Sequence, residues 1–320
     1  MTILGLDIAK KTFHATLFIG GRTVRRTCAN SESGFADLAD WLTTHQAEPG
    51  HACMEATGVY WEPVAAWLHA QGWTVSVVNP LRIKAFADTD LTRNKTDQVD
   101  SFLIARFCQE KQPDAWTPPS PAMKTLQVLS RHLDALEKTL TQQRNRLEAC
   151  RDPLVRDSLQ RLMTAIQEEQ ATMRQQIEQR LATEPDLAHR RDLLCSIPGI
   201  GAATAIILMA ELPTLEAYAS ARQIAAHAGV TPKQHQSGTS VHGKPRLSKM
   251  GNARLRKALY FPAMVAIRHN PIIMALAERL RARGKTEMCL IGAAMRKLLH
   301  LVYGVVKHDT KFDPNFASAS

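Results

Sequence analysis

Ile3-Leu4-Gly5-Leu6-Asp7-Ile8, followed by Phe13-His14-Ala15-Thr16-Leu17-Phe18-Ile19-Gly20-Gly21-Arg22-Thr23-Val24-Arg25-Arg26-Thr27-Cys28, is the stretch whose reading decides the fold. Ile3–Ile8, Phe13–Ile19 and Thr23–Cys28 predict three consecutive strands. Gly20-Gly21 is the hairpin turn between the last two, because glycine accepts positive φ without steric cost. Further on, Ser33 to His45 predicts a helix with Phe35, Leu38, Trp41 and Leu42 on one face. Ala52–Glu55 predicts a short strand, and Tyr60 to Gln71 a helix that Gly72 stops. Thr74–Val78 predicts a buried strand, and Asn79-Pro80 opens another helix. A three-strand meander followed by helix–strand alternation predicts one mixed α/β sheet covered by helices over residues 1–115.

Four acids stand out against this frame. Asp7 and Glu55 end short apolar strands, and Asp97 and Asp100 lie three apart on a predicted helix. Taken singly, a strand-end Asp is ordinarily a turn residue, two acids at this spacing ordinarily form a solvated face, and Asp97 also suits a helix N-terminus. However, Asp97 and Asp100 repel each other if they share a face, beside Val99, Phe102 and Leu103, whose apolar character predicts burial. A divalent cation offsets that repulsion. Acids from strand ends and one helix face are a means of holding such ions for phosphoryl chemistry.

The remainder divides at a proline-rich linker over 113–121. Leu126, Leu129, Leu133, Leu136, Leu140 and Leu147 repeat at heptad-like spacing. After a break at Pro153 come Leu159, Leu162, Ile166, Met173, Ile177 and Leu181. Two long amphipathic helices over residues 120–184 follow, read either as an antiparallel hairpin within one subunit or as the seam of a coiled-coil dimer. From 185 to 320 the chain is mainly helical. Asp186–Ser196 and the turn Ile197-Pro198-Gly199-Ile200-Gly201 ahead of a second helix form a helix-hairpin-helix signature, in which Gly199 and Gly201 bring backbone and helix N-terminus close to a phosphate. An ordinary helical corner has the same local pattern.

The chain has 320 residues and a formal charge of +10, and the excess is concentrated. No Asp or Glu lies between Glu216 and Glu278. That stretch holds Arg222, Lys233, Lys244, Arg246, Lys249, Arg254, Arg256, Lys257 and Arg268. Such a segment gains most from a polyanionic backbone through counterion release, so Lys244, Arg246, Lys249, Arg254, Arg256 and Lys257 are candidate nucleic-acid contacts. A solvated basic face that binds nothing is the plainer reading. The six cysteines form no CxxC pair, which argues against a zinc ribbon and, without a signal peptide, fits a reducing cytoplasm. The longest apolar run, near Ala205 to Ala210, is too short to span a bilayer.

Within the basic segment, Gln236-Ser237-Gly238-Thr239-Ser240-Val241-His242-Gly243-Lys244 sets hydroxyls among glycines and cations. Cations at Lys244, Arg246 and Lys249 suit stabilisation of an attacking alkoxide and of charge on phosphorus. A flexible loop whose hydroxyls only donate to phosphate fits as well, and these residues alone do not choose among Ser237, Ser240 and Ser248.

Gly5-Leu6-Asp7-Ile8-Ala9-Lys10, Glu55-Ala56-Thr57-Gly58, Asn94-Lys95-Thr96-Asp97 with Asp100, Ile197-Pro198-Gly199-Ile200-Gly201, and Gly229-Val230-Thr231-Pro232 leading into Ser237-Gly238 together resemble the DEDD transposases of insertion sequences, the one-ten family, related to the Piv DNA invertase. The resemblance covers nearly the whole chain. It implies an RNase H-like, RuvC-type N-terminal domain with Asp7, Glu55, Asp97 and Asp100 around Mg²⁺, and a C-terminal transposase domain whose nucleophile matches Ser237. It further implies a recombinase acting on donor and target DNA, in some members directed by a non-coding bridge RNA. The implied active form is a homo-oligomer, a dimer or tetramer, in which one subunit's acids complete another's serine site, in the bacterial cytoplasm. The expected activity is recombination through a phosphoserine intermediate. A metal-dependent nuclease or junction resolvase using water, and a non-catalytic nucleic-acid-binding protein, are the alternatives.

Overall fold

In a computed structural model, β1 (Ile3–Ile8) is the middle strand of a five-stranded sheet. The structure describes residues 2–56, 58–89, 97–237 and 241–315. β2 (Thr12–Ile19) and β3 (Arg22–Ala29) continue from β1 as the predicted antiparallel meander. After α1 (Glu32–Thr44), β4 (His51–Glu55) pairs parallel to β1; after α2 (Glu62–Ala70), β5 (Thr74–Val78) pairs parallel to β4. The resulting order, β3-β2-β1-β4-β5, is the mixed sheet expected from the sequence. α3 (Pro80–Thr89) and α4 (Asp97–Lys111) complete this unit, Met1–Pro118.

Strand side chains alternate between faces, so the sheet has two distinct cores. Leu4, Leu6, Phe13, Ala15 and Leu17 pack with Phe35, Leu38, Val64 and Leu68 of α1 and α2. On the other face Ile3, Cys53 and Val78 pack with Ile83, Phe86, Ile104, Phe107 and Cys108 of α3 and α4. The predicted linker also has a structural role. Trp116 N donates to Val75 O at 2.6 Å, and Ser76 Oγ lies 2.9 and 2.8 Å from the carbonyls of Pro113 and Asp114, so the segment covers the β5 edge.

The second unit, Pro119–Ser320, begins with α5 (Pro121–Ala149) and α6 (Pro153–Thr183). Ser120 and Asp152 cap these helices, with proline in the first turn of each, where its missing N–H costs nothing. Their short connection makes them an antiparallel hairpin within one chain. Leu126, Leu140, Leu159, Ile166, Ile177 and Leu181 are buried, whereas Leu162 of the predicted stripe is 45% exposed. The hairpin, expected as a separate segment over 120–184, shares its base with the following helices: Met123, Leu126, Ile177 and Leu181 belong to the main core.

That core is built by α7 (Pro185–Cys195), α8 (Ala202–Glu211), α9 (Ala221–His227), α10 (Ala253–Ala258), α11 (Tyr260–His269), α12 (Pro271–Ala282) and α13 (Glu287–Lys307). α13 is long and apolar enough to cross a membrane, but Leu290, Ala294, Leu298, Leu299 and Val302 are buried in this core, which accounts for its composition. Between α9 and α10 stands a two-stranded hairpin, β6 (Pro232–Ser237) and β7 (Val241–Leu247). The sequence read this stretch as a loop. Its strands are polar, lack apolar alternation and include Pro245, so the usual strand signal is missing.

Candidate active site and nucleic-acid interface

The elements that carry the acids meet at one edge of the sheet through an orientation, not a motif. In the parallel pairing of β1 with β4, Leu6 lies opposite Met54, so Asp7 and Glu55 follow side by side at the carboxyl edge. Both alternate onto the α4 face of the sheet, with Gly5 and Cys53. Gly5 lets α4 descend onto β1: a Cβ built there would lie 2.4 Å from Ser101 O and Ala105 N. Thr16, the register partner of Gly5, bonds Ser101 Oγ at 2.9 Å. Two turns further along α4, Cys108 Sγ reaches the carbonyl of His51, which pairs with Ile3 at the opposite end of the strands. α4 therefore runs antiparallel to β1. Its first turn, with Asp97 and Asp100, lies at the edge that carries Asp7 and Glu55.

Asp7, Glu55 and Asp100 are each partly buried. The Asp97 side chain lies outside the described residues, as do Thr57 and Asn94-Lys95-Thr96 of the sequence motifs. Among the described residues, no three His, Cys, Asp or Glu side chains close into a ligand group. The donor chemistry and shared edge still fit a hard divalent cation, since carboxylate oxygen is its preferred ligand.

Ser237 is the last residue of β6 and pairs with Val241 at the start of β7. Gly238, Thr239 and Ser240 lie outside the described residues, as do the side chains of Ser237 and Lys244. The hairpin is anchored at its base, where Leu247 packs 3.5 Å from the position a Cβ on Gly292 of α13 would take. Arg246 and Lys249 near that base are exposed, and Lys249 holds a left-handed φ of 55° while its N–H donates to Gly229 O.

The other predicted phosphate contacts divide sharply. Gly199, at φ 106°, is packed against α11: a Cβ there would lie 2.8 Å from the Ala266 Cβ and 2.9 Å from Pro262 O. Its conformation closes the helical corner against α11. Among the described residues nothing lies within 4 Å of such a Cβ on Gly201, one step before α8, and Gly201, Ala202 and Ala203 are exposed, so the α8 N-terminus is open. Arg254 is turned inward. It donates to Glu211 Oε1 at 2.6 Å and to Ser130 O at 2.6 Å, and lies 3.7 Å from Asp134. Arg256 donates to Ala228 O at 3.0 Å, whereas Lys257 is exposed. Asn252 and Arg131 complete the shell around Glu211, at 2.5 and 3.2 Å. Burial disfavours the Glu211 charge, but the hydrogen bonds from Asn252, Arg254 and Arg131 overcome this and hold the carboxyl below the ordinary value for Glu.

A family model described as a transposase, the DEDD type of IS110, matches residues 4–152, and a second, described as "Transposase IS116/IS110/IS902 family", matches residues 191–278. The chain is 34% identical over 318 residues to the pilin gene-inverting protein of Moraxella bovis, with 98% of each chain covered. The chain belongs to the IS110 family of transposases. Another relative is the transposase for insertion sequence element IS1328 of Yersinia enterocolitica, 24% identical over 293 residues, with 81% of this chain and 82% of that one covered. Each of the two family models spans one of the predicted chemical regions of this IS110-family chain: the acids in the first, the serine hairpin in the second.

The sequence reading missed the cations of the first unit in this IS110-family chain. Arg22, Arg25 and Arg26 are exposed on β3, the edge strand of the sheet. The signal was present, because residues 8–31 contain no Asp or Glu. It was hidden by a strand pattern that accounts for the same residues without any ligand.

Proposed function

We propose that this transposase cuts and rejoins DNA through a covalent phosphoserine link. The acids Asp7, Glu55, Asp97 and Asp100 form one half of the chemistry and Ser237 the other. The observation that carries this reading is the antiparallel run of α4 over β1, which sets the acid-bearing turn at the acid-bearing strand edge. Family membership and the carboxylate-free segment from 217 to 277 support it.

Ser237 Oγ attacks a DNA phosphorus, and the Oγ–P bond forms as the bond from phosphorus to one sugar oxygen breaks. The leaving sugar oxygen takes up a proton. The serine ester conserves one phosphodiester-like bond, so a hydroxyl from another strand attacks it, restores the DNA linkage and returns the proton to Ser237. No high-energy cofactor enters the balance. The four acids would hold Mg²⁺, which would supply charge stabilisation for the reacting phosphate. Arg246, Lys249 and Lys257, with the open α8 N-terminus at Gly201, hold the DNA backbone. The partners are donor and target DNA and a bridge RNA, and the working form is a homo-oligomer in the cytoplasm, where the DNA lies. These last assignments rest on the family resemblance.

A denaturing gel with labelled DNA tests the reading. Wild-type protein is expected to carry a covalent DNA adduct that Ser237→Ala abolishes and Ser240→Ala retains. An adduct lost only in Ser240→Ala moves the nucleophile. Cleavage without any adduct overturns the covalent mechanism in favour of a water-using nuclease.

A further inference from the structure

The α4 side of β2 and β3 carries a trough that leads to the acid edge. Across the sheet, Asp7 pairs with His14 and His14 with Thr27; Gly5 pairs with Thr16 and Thr16 with Arg25; Ile3 pairs with Phe18 and Phe18 with Thr23. α4 sits over β1, so the β3 end of each row is left open. Two clefts follow one another along this opening. One of about 150 Å³ is lined by His14, Arg25, Thr27 and Ser101, adjacent to the Asp7 row and to Asp100. The next, about 510 Å³, is lined by Phe18, Arg22, Thr23, Phe102 and Arg106.

The chemistry along the trough is specific. The Arg25 guanidinium carbon lies 5.4 Å from the Phe102 ring centroid, and Phe18 meets the same ring edge-on at 5.4 Å. Thr27 Oγ1 bonds His14 Nδ1 at 2.9 Å. Residues 8–31 supply Lys10, Lys11, Arg22, Arg25 and Arg26 with no carboxylate among them. Cations interleaved with aromatic faces suit an extended nucleic-acid strand, whose phosphates pair with arginine while its bases stack. An acidic peptide would use the arginines but not the aromatic floor.

We propose that this trough between β3 and α4 seats one unpaired nucleic-acid strand, with phosphates on Arg22 and Arg25 and a base against Phe102, and guides it to the acid edge. The proposal rests on the reading of the chain as a nucleic-acid-processing enzyme and adds a binding track to its first unit. DNA and RNA single strands share this chemistry, so both are probed.

The test uses the full chain and two fluorescent oligonucleotides that differ only at the sugar, oligodeoxyuridylate and oligouridylate, with binding followed by anisotropy over a salt series. In Arg22→Gln/Arg25→Gln, binding should weaken and the log–log salt slope should fall by about 0.7 for each phosphate that is no longer neutralised. Phe102→Leu should weaken binding about tenfold and leave the slope unchanged. A weakening shared by both oligonucleotides identifies a backbone-and-base track; one confined to a single oligonucleotide identifies its sugar. Ultraviolet crosslinking of the wild type to the same oligonucleotides should label the peptide containing Phe102. Wild-type affinity and slope in the arginine variant, or crosslinks confined to the second unit, would overturn the track. The phosphoserine reading would be untouched by that result, because the adduct gel measures it separately.

Discussion

Gly5 and Ala105 meet at close range across the sheet–helix boundary: a Cβ on Gly5 would lie 2.4 Å from the Ala105 nitrogen and 2.7 Å from its Cβ. This approach sets the height of α4 above β1, and with it the position of Asp100 relative to Asp7.

Gly5→Ala should therefore damage both stability and catalysis. Backbone atoms cannot rotate away as a side-chain tip does, so the cost should reach about 3 kcal/mol, the upper end for overpacking. Urea unfolding measures the first effect. Strand cleavage per folded molecule measures the second and should fall more than DNA binding does. Unchanged stability would show that α4 slides without cost.

Asp7→Asn and Asp100→Asn should leave the fold intact, because both side chains sit at the partly exposed edge. Adduct formation should drop on the order of 10²–10³-fold, the usual cost of removing one electrostatic interaction with a reacting centre. Nucleic-acid affinity measured by anisotropy should be retained. Normal recombination by either variant would remove the acids from the chemistry.

Arg254 should behave as a stability residue. Arg254→Met leaves the buried Glu211 carboxylate with a weakened shell and should cost about 3 kcal/mol. The pH dependence has a defined sign. The folded-state pKa of Glu211 is held below its unfolded value, so its contribution is present above the unfolded value and is lost as pH falls through the folded one. Acid melts of Glu211→Gln should show a shallower loss of stability below pH ~4.5 than wild type. Parallel curves would place the acid sensitivity elsewhere.

Exposed Lys257 should behave oppositely to Arg254, although the two are three apart on α10. Lys257→Gln should leave the melting temperature in place and reduce the salt slope for duplex DNA by about 0.9. A melting shift without a slope change would mean that Lys257 packs rather than binds.

Gly199 and Gly201 separate in the same manner. Gly199→Ala meets α11 and a left-handed φ and should destabilise the second unit. Gly201→Ala has open space and an extended φ of −94°, so it should fold normally. Any DNA-binding loss in Gly201→Ala then reports on the α8 N-terminus itself.

Much of this was legible in the chain. The meander Ile3–Cys28, the acids at strand ends and the two long helices follow from local apolar periodicity, which acts within a few residues and so survives in a single sequence. The sequence also placed Asp7 and Glu55 at strand termini, and the structure brings those termini side by side. The β6–β7 hairpin was not legible, since its polar strands carry no pattern and Ser237 reads as loop.

What the sequence by itself determined was therefore the elements of the first unit, the two long helices, the order of the chemical motifs and the family. Only the tertiary structure decided which of two similar residues faces solvent. Arg254 and Lys257 look alike in a carboxylate-free run, but the partner of Arg254 is Glu211, 43 residues away, and no local pattern records that pairing. Gly199 and Gly201 look alike until α11 closes on one of them. The trough beside β3 likewise exists only because α4 descends onto Gly5 and leaves the β3 side of the sheet open. Burial and ion pairing are set by distant segments meeting, and that is information a linear reading of charge and periodicity does not contain.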